Sequence, residues 1–364
     1  MTETVRVADT QEAIDGLFDE RGWSDGLPVV APTRARVDRM LAGADRSPED
    51  SLGVMPPRNG VVTLEALAIN AVMAGCRPVY FPLVVTAVEA MLDPAFNLFA
   101  VQATTHPCSP LLIVNGPAAA EAGVNGRYGA FGPGFRANAT IGRAIRLILL
   151  NVGGAAPGVL DRSTQGQPSK YSFCIAENEA ESPWEPLHVE RGFAPWMSTV
   201  TVVGAENPHN INDHVSDSAA GILATLAGSM SDMGSNNAYL HGGPVLAFGP
   251  EHAAIVAAGG YDKDGVRRFV FEQARVPTEL WWQGGMAPTD GRQVPDSPGR
   301  PIISKPEDLL VIVVGGFGRH SSWLPTFGAT TRAVTRAVVN GDGTPVSALS
   351  EAGGLIGPRP GRPE

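Results

Sequence analysis

Apolar and polar positions recur along this chain in two rhythms, one helical and one strand-like, and the rhythms alternate from end to end. Residues Thr10–Arg21 place Ile14, Leu17 and Phe18 on one helical face, and Pro32-Thr33 opens a second helix through Met40, with Thr33 as its N-cap. Thr63–Ala74 and Pro82–Leu92 repeat the helical spacing, and Thr140–Val152 is strongly amphipathic. Ser109–Asn115 is an apolar run closed by Gly116-Pro117, the pattern of a buried strand and its turn. Ser198–Val203, Pro244–Phe248 and Leu309–Val314 read the same way. Glu206–Asp217 is a polar segment, and helices are expected after it to about Met230, over Pro250–Gly259 and over Lys263–Gln273. Gly43–Asn59 and Gly153–Gly192 show neither period and are expected to be irregular.

Strands alternating with helices predict an α/β protein, with mixed sheets flanked by helices in two related halves and a cleft between them. The expected boundaries are 1–155 for the first half, 156–195 for an irregular covering segment, 196–340 for the second half and 341–364 for a Gly- and Pro-rich flexible tail. An internal echo supports the relation: Pro110–Gly123 and Pro244–Ile255 both run Pro, strand, Gly-Pro, then an Ala-rich helix.

Composition narrows the class. The 364 residues are 43% hydrophobic and 18% charged, which suits a folded globular chain and excludes general disorder. The net charge of −10 and the lack of a basic patch argue against a nucleic-acid partner. Apolar runs such as Ala144–Val152 are too short for a bilayer, and the N-terminus has no apolar leader, so neither a membrane nor an export route is expected. Cys76, Cys108 and Cys174 form no CxxC pair, and an odd count cannot close a disulfide framework, which points to the cytoplasm. A homo-oligomer is expected.

The candidate chemistry gathers where apolar runs stop. Cys76 sits in Ala74-Gly-Cys-Arg-Pro78 between two helices, where Arg77 and a helix end would favour its thiolate, so it is the expected nucleophile or redox thiol. His106, His214 and His320 are the expected proton carriers. The Gly-rich loop Gly132–Arg143 leads into a helix, where Arg136, Asn138 and Arg143 would hold a carboxylate or phosphate. Lys170 lies in a polar segment, 161–191, that would cover the substrate. Gly315–Ser322 ends a strand, and Gly316 and Gly318 would let its backbone approach a ligand. It is no dinucleotide fingerprint, since the third glycine is missing. No Walker A, GxSxG or HExxH pattern occurs, which disfavours NTPase, α/β-hydrolase and zincin chemistry. No cofactor is expected. The alternative is a divalent metal held by His209, Asp213 and His214 with Glu206, although five positions between the histidines do not put both on one helix face.

Four segments together, Trp23–Thr33, Asn70–Pro78, Asn138–Arg143 and Val314–Ser321, resemble a family of bacterial proteins grouped with UGSC-motif (seleno)proteins, distant kin of glycine-reductase-type selenoenzyme components. The UGSC tetrapeptide itself is absent, so the thiol-redox step does not carry over by motif. The resemblance implies a cytoplasmic enzyme or enzyme subunit working with a small thiol or selenol partner protein. From the residues, the expected function is an enzyme acting on a small anionic organic substrate by thiol chemistry with histidine acid–base help. A metal-dependent hydrolase or lyase, or a non-catalytic subunit of a two-component reductase, are the alternatives.

Overall fold

The central strands of this protein are apolar on both faces, because they are covered twice: by helices on one side and by a second sheet on the other. The computed structural model describes residues 4–283 and 299–353. In chain order the helices are α1 (Gln11–Glu20), α2 (Arg34–Leu41), α3 (Leu64–Ala74), α4 (Phe81–Met91), α5 (Leu98–Ala103), α6 (Pro117–Ala122), α7 (Arg136–Asn151) and α8 (Leu187–Glu190). After these come α9 (Ala219–Met230), α10 (Asn236–Leu240), α11 (Pro250–Ala258), α12 (Lys263–Gln273), α13 (Thr278–Gln283) and α14 (Leu349–Ala352). The strands are β1 (Ser51–Met55), β2 (Gly60–Thr63), β3 (Ser109–Asn115), β4 (Cys174–Ala176), β5 (Thr199–Ala205) and β6 (His209–Asn212). They continue with β7 (Val245–Phe248), β8 (Arg275–Val276), β9 (Arg300–Pro301), β10 (Leu310–Val313), β11 (His320–Leu324) and β12 (Val334–Ala337). The fold is α/β.

Two four-stranded sheets carry the core, in the orders β12-β5-β3-β4 and β6-β11-β7-β10. The orders correspond strand for strand. In each sheet one pair is parallel, β3 with β4 and β7 with β10, and the other neighbours are antiparallel. The echoed segments supply β3 and β7, which occupy the same place in their sheets. The halves are not contiguous in sequence, however. After β5 the chain crosses into the second sheet as β6, and after β11 it crosses back as β12. The expected boundary at 196 therefore cuts through the first sheet.

The side-chain period of two assigns each face. Leu111, Ile113, Ile175 and Val203 meet Val245, Ala247, Ile312 and Leu324 in one buried cluster, so the two sheets pack against each other. Leu112, Val114, Val200 and Val202 turn the other way, into a cluster with α3, α4 and α7. Leu246, Phe248, Val311 and Trp323 do the same towards α9, α11 and α12. The result is four layers, helix–sheet–sheet–helix. Hydrocarbon fills most of the space between the halves, and the cleft expected there is confined to one end.

Several local expectations change. Residues 43–59 are not all connection: β1 lies within them and forms an antiparallel hairpin with β2, anchored by buried Met55. Thr33 makes no side-chain capping bond. The polar segment after Glu206 is the edge strand β6, and β11 begins at His320 inside the expected loop. The tail is packed as far as it is described, with Val346 and Leu349 buried, and 354–364 lie outside the described residues. Among the described residues no single helix is long and apolar enough to cross a membrane.

Candidate functional site

The carboxyl ends of both parallel pairs lie at one end of the sandwich, since the Asn178 N–H donates to the Val313 carbonyl and Asn178 Nδ2 to that of Gly315. In α/β sheets this end gathers ligands. A cleft of about 210 Å³ opens there, lined by Tyr128–Phe131, Gly249, Val314–Gly318 and His320–Ser322. Near it the inner face of the edge strand β6 is left uncovered: Asn210 and Asn212 are exposed, while Ile211 is buried against the helices.

His320 stands on that uncovered face. Its Nδ1 lies 3.0 Å from Asn210 Oδ1, and its Nε2 lies 3.2 Å from His214 Nε2. An Nδ1–H donated to the amide oxygen leaves Nε2 of His320 bare, so His214 donates its Nε2–H to it. The two imidazoles thus share a proton at the mouth of the cleft, both in contact with solvent. Beside them the chain turns through Gly315 (φ 104°) and Gly318 (φ 142°), conformations that favour glycine. Among the described residues no hydrogen-bond partner is found for the N–H groups of Gly316, Phe317 and Gly318. Donors left free in such a turn suit an anion. A Cβ on Gly249 would come within 2.1 Å of the His320 carbonyl, so glycine is also what lets the start of α11 meet β11 so closely.

Behind β11 a buried network fixes this arrangement. His252 Nε2–H donates to the Asp213 carbonyl (3.0 Å), its Nδ1 accepts from the Ser321 hydroxyl (2.8 Å), and Ser321 Oγ accepts the Gly249 N–H (3.1 Å). Burial holds the His252 pKa below its usual value, which keeps that ring neutral. The Asp213 carboxylate accepts the N–H groups of Val215 and Ser216 and the Thr225 hydroxyl, and these bonds hold its pKa well below the carboxylate range. Arg319 donates to the carbonyls of His214 and Ser216, tying the same loop to β11.

The other expected residues lie elsewhere. Cys76 follows the carboxyl end of α3, where Gly75 turns left-handed (φ 85°) and the Cys76 N–H closes on the Ala71 carbonyl. That is the negative end of the helix dipole, and the thiol is buried, donating to the Thr140 carbonyl at 3.2 Å. Burial outweighs the guanidiniums of Arg136 and Arg143 and pushes its pKa up to about 12, the reverse of the activated thiolate. Arg77 is exposed. Cys108 is likewise pushed up to about 12, and Cys174 is raised by burial in β4.

The residues expected to hold an anion are engaged with the protein itself. Arg143 grips Asp25 through two nitrogens at 2.7 and 2.8 Å, and Arg136 donates twice to the Gly75 carbonyl. Asn138 exchanges hydrogen bonds with the backbone of Asn125 and donates to Ala130, locking the Gly-rich loop onto α7. Lys170 pairs with Asp161 at 2.7 Å. His106 binds Glu206 at 2.6 Å near the amino end of β3, the opposite end from the cleft. The expected metal set does not converge: Glu206 and His209 precede and open β6, Asp213 and His214 follow it, and the Asp213 carboxylate is taken by its own loop. Among the described residues no three His, Cys, Asp or Glu side chains are grouped to hold a metal ion. Of the expected site residues, His214, His320, Gly316 and Gly318 come together.

A larger cavity of about 450 Å³ lies between α1, α2 and α3, lined by Phe18, Trp23, Val37, Ile69 and Met73. Its charged rim, Arg34 and Glu65, is paired at 2.9 Å. Comparison with protein-family models, curated proteins and solved structures gave no match.

Sequence reasoning did not single out Asn210, His252 or the aromatic residues Tyr128, Phe131 and Phe317. For Asn210 the signal was the alternation Asn210-Ile211-Asn212, an edge strand with one wet face. His252 could have been reached from the echo, which puts it in the first turn after the second Gly-Pro.

Proposed function

We propose that this protein is an enzyme that moves protons on a small anionic organic molecule, with His320 as the acid–base group. The observation that carries the reading is the exposed His214–His320 pair, oriented by Asn210, beside three N–H groups that have no partner among the described residues. Bound with its anion on the Gly316–Gly318 backbone, a substrate presents a neighbouring proton to Nε2 of His320 in place of the His214 Nε2–H, and the imidazolium that forms, held through its Nδ1–H by Asn210, gives a proton back to the substrate or to solvent. Asn210 keeps the ring from flipping, and the His252–Ser321 network keeps β11 and the His214 loop in register. The cleft volume of about 210 Å³ suits a compact substrate, since sites for drug-sized ligands run from roughly 300 Å³ upward.

Thiol chemistry at Cys76 has no part in this reading, because burial keeps that thiol neutral. A thiol or selenol partner protein, which the resemblance implies, would have to bring its own sulfur or selenium to the cleft. The three unpaired cysteines fit the cytoplasmic home that belongs to the same reading. The test is deuterium incorporation from D2O into a panel of small carboxylic and phosphorylated acids, followed by proton NMR. Exchange should fall by about 100-fold or more in His320→Ala. Equal exchange by the two proteins contradicts the assignment.

A further inference from the structure

We infer that the molecule this cleft accepts carries an aromatic ring next to its anionic group, seated among Tyr128, Phe131 and Phe317. The inference rests on the reading of the cleft as the active site and adds the substrate's chemical class. All three rings line the cleft, and all three are exposed, at 58%, 38% and 55% respectively. Elsewhere among the described residues Phe99, Tyr171, Trp196 and Tyr239 are comparably open, but none of them lines this cleft. Leaving such rings partly in water forgoes free energy that their burial would gain. Three of them around one small opening, in a protein whose other large aromatic side chains are mostly packed, mark a surface that a ligand completes.

The rings are also held in place. Tyr128 lies flat against Gly316, where a Cβ would come within 2.1 Å of the phenol ring. Phe131 leans on buried Phe173, with ring centroids 6.3 Å apart. Phe317 sits between the two glycines, so its side chain and its own free N–H belong to one residue. A ring touching Phe317 therefore places an attached carboxylate or phosphate within reach of the Gly316–Gly318 donors. The size agrees: a cavity of about 150 Å³ holds a benzene ring, and this one has about 210 Å³, the remainder matching one anionic substituent. Aromatic pairs attract beyond what area burial gives, so the cleft prefers a flat π-system to a saturated ring.

The test uses three carboxylates: acetate, cyclohexanecarboxylate and benzoate. Dissociation constants come from ligand-observed NMR, and protection of His320 from diethylpyrocarbonate is read by mass spectrometry. Benzoate should bind about tenfold more tightly than acetate and clearly better than cyclohexanecarboxylate, and Phe317→Ala or Tyr128→Leu should erase the preference. If acetate and benzoate protect His320 alike, or the preference survives both substitutions, the aromatic inference fails while the cleft stands as the site. If none of the three protects His320, both readings fall together.

Discussion

The carboxyl ends of the two parallel pairs have the same place in the topology and opposite characters. In the first sheet β3 and β4 end in a sealed polar knot. Asn115 Nδ2 donates to Glu177 (2.6 Å) and to Glu179 (2.8 Å), the Leu187 N–H donates to Glu177, and Lys263 approaches Glu177 at 4.0 Å while pairing with Glu190. Arg267 also binds Glu190. In the second sheet β7 and β10 end in glycines, and the space that charged side chains fill in the first is left open beside His320. The contrast shows what a repeated topology does and does not determine. It fixes where chain ends converge; the residues just past the strands, Glu177-Asn178 in one half and Gly315-Gly316 in the other, decide between closure and a site.

The same contrast applies to the two candidate reactive groups, and the largest predicted effect concerns them. With its pKa near 12, Cys76 has a thiolate fraction of about 10⁻⁴ at pH 8. Iodoacetamide should therefore modify it orders of magnitude more slowly in the native protein than after unfolding in urea, as read by peptide mass spectrometry. Rapid native labelling at pH 8 would erase the distinction between a sealed sulfur and an open imidazole.

Next in size is the knot. Asn115→Ala removes the amide that bridges two carboxylates in a buried setting, and urea denaturation should show a loss of about 3 kcal/mol. Ser322→Ala, on the open side, should stay within about 0.5 kcal/mol. Similar losses at both positions would mean that the two ends are equally structural.

The smallest effect is in pH. His252 has a folded pKa lowered by burial, so the unfolded chain binds more protons between the folded value and the unfolded value of about 6.5. Stability from this group is therefore full above the unfolded pKa and declines as pH falls below it. His252→Gln should flatten that decline between pH 7 and 5. An unchanged slope would remove His252 from the network that fixes β11.

Much of the fold could be read from the chain because double burial leaves a strong signal. The apolar runs of β3, β5, β7 and β10 stand out, and α12 falls where its spacing puts it. Among the strands missed, β6 and β11 carry His209, Asn210, Asn212, Ser321 and Ser322; one wet face and a buried hydroxyl network break the apolar period. The same residues frame the site, so the weakest signal lay where it mattered most. Cys76 misled for a related reason. A Gly-Cys-Arg-Pro break shows that a helix ends there but not how deeply the sulfur is buried, and depth, through desolvation, sets the thiol's charge. Arg136 and Arg143 have the composition of an anion site, but their partners Gly75 and Asp25 lie at least 61 positions away in sequence.

The most direct test sets the two candidate groups side by side in one assay, deuterium incorporation into a small aromatic carboxylate by His320→Ala and by Cys76→Ala, with folding of both checked by circular dichroism. The account predicts that His320→Ala loses about 100-fold or more in rate while Cys76→Ala stays within about threefold of the parent protein. Loss in Cys76→Ala with full activity in His320→Ala would contradict it.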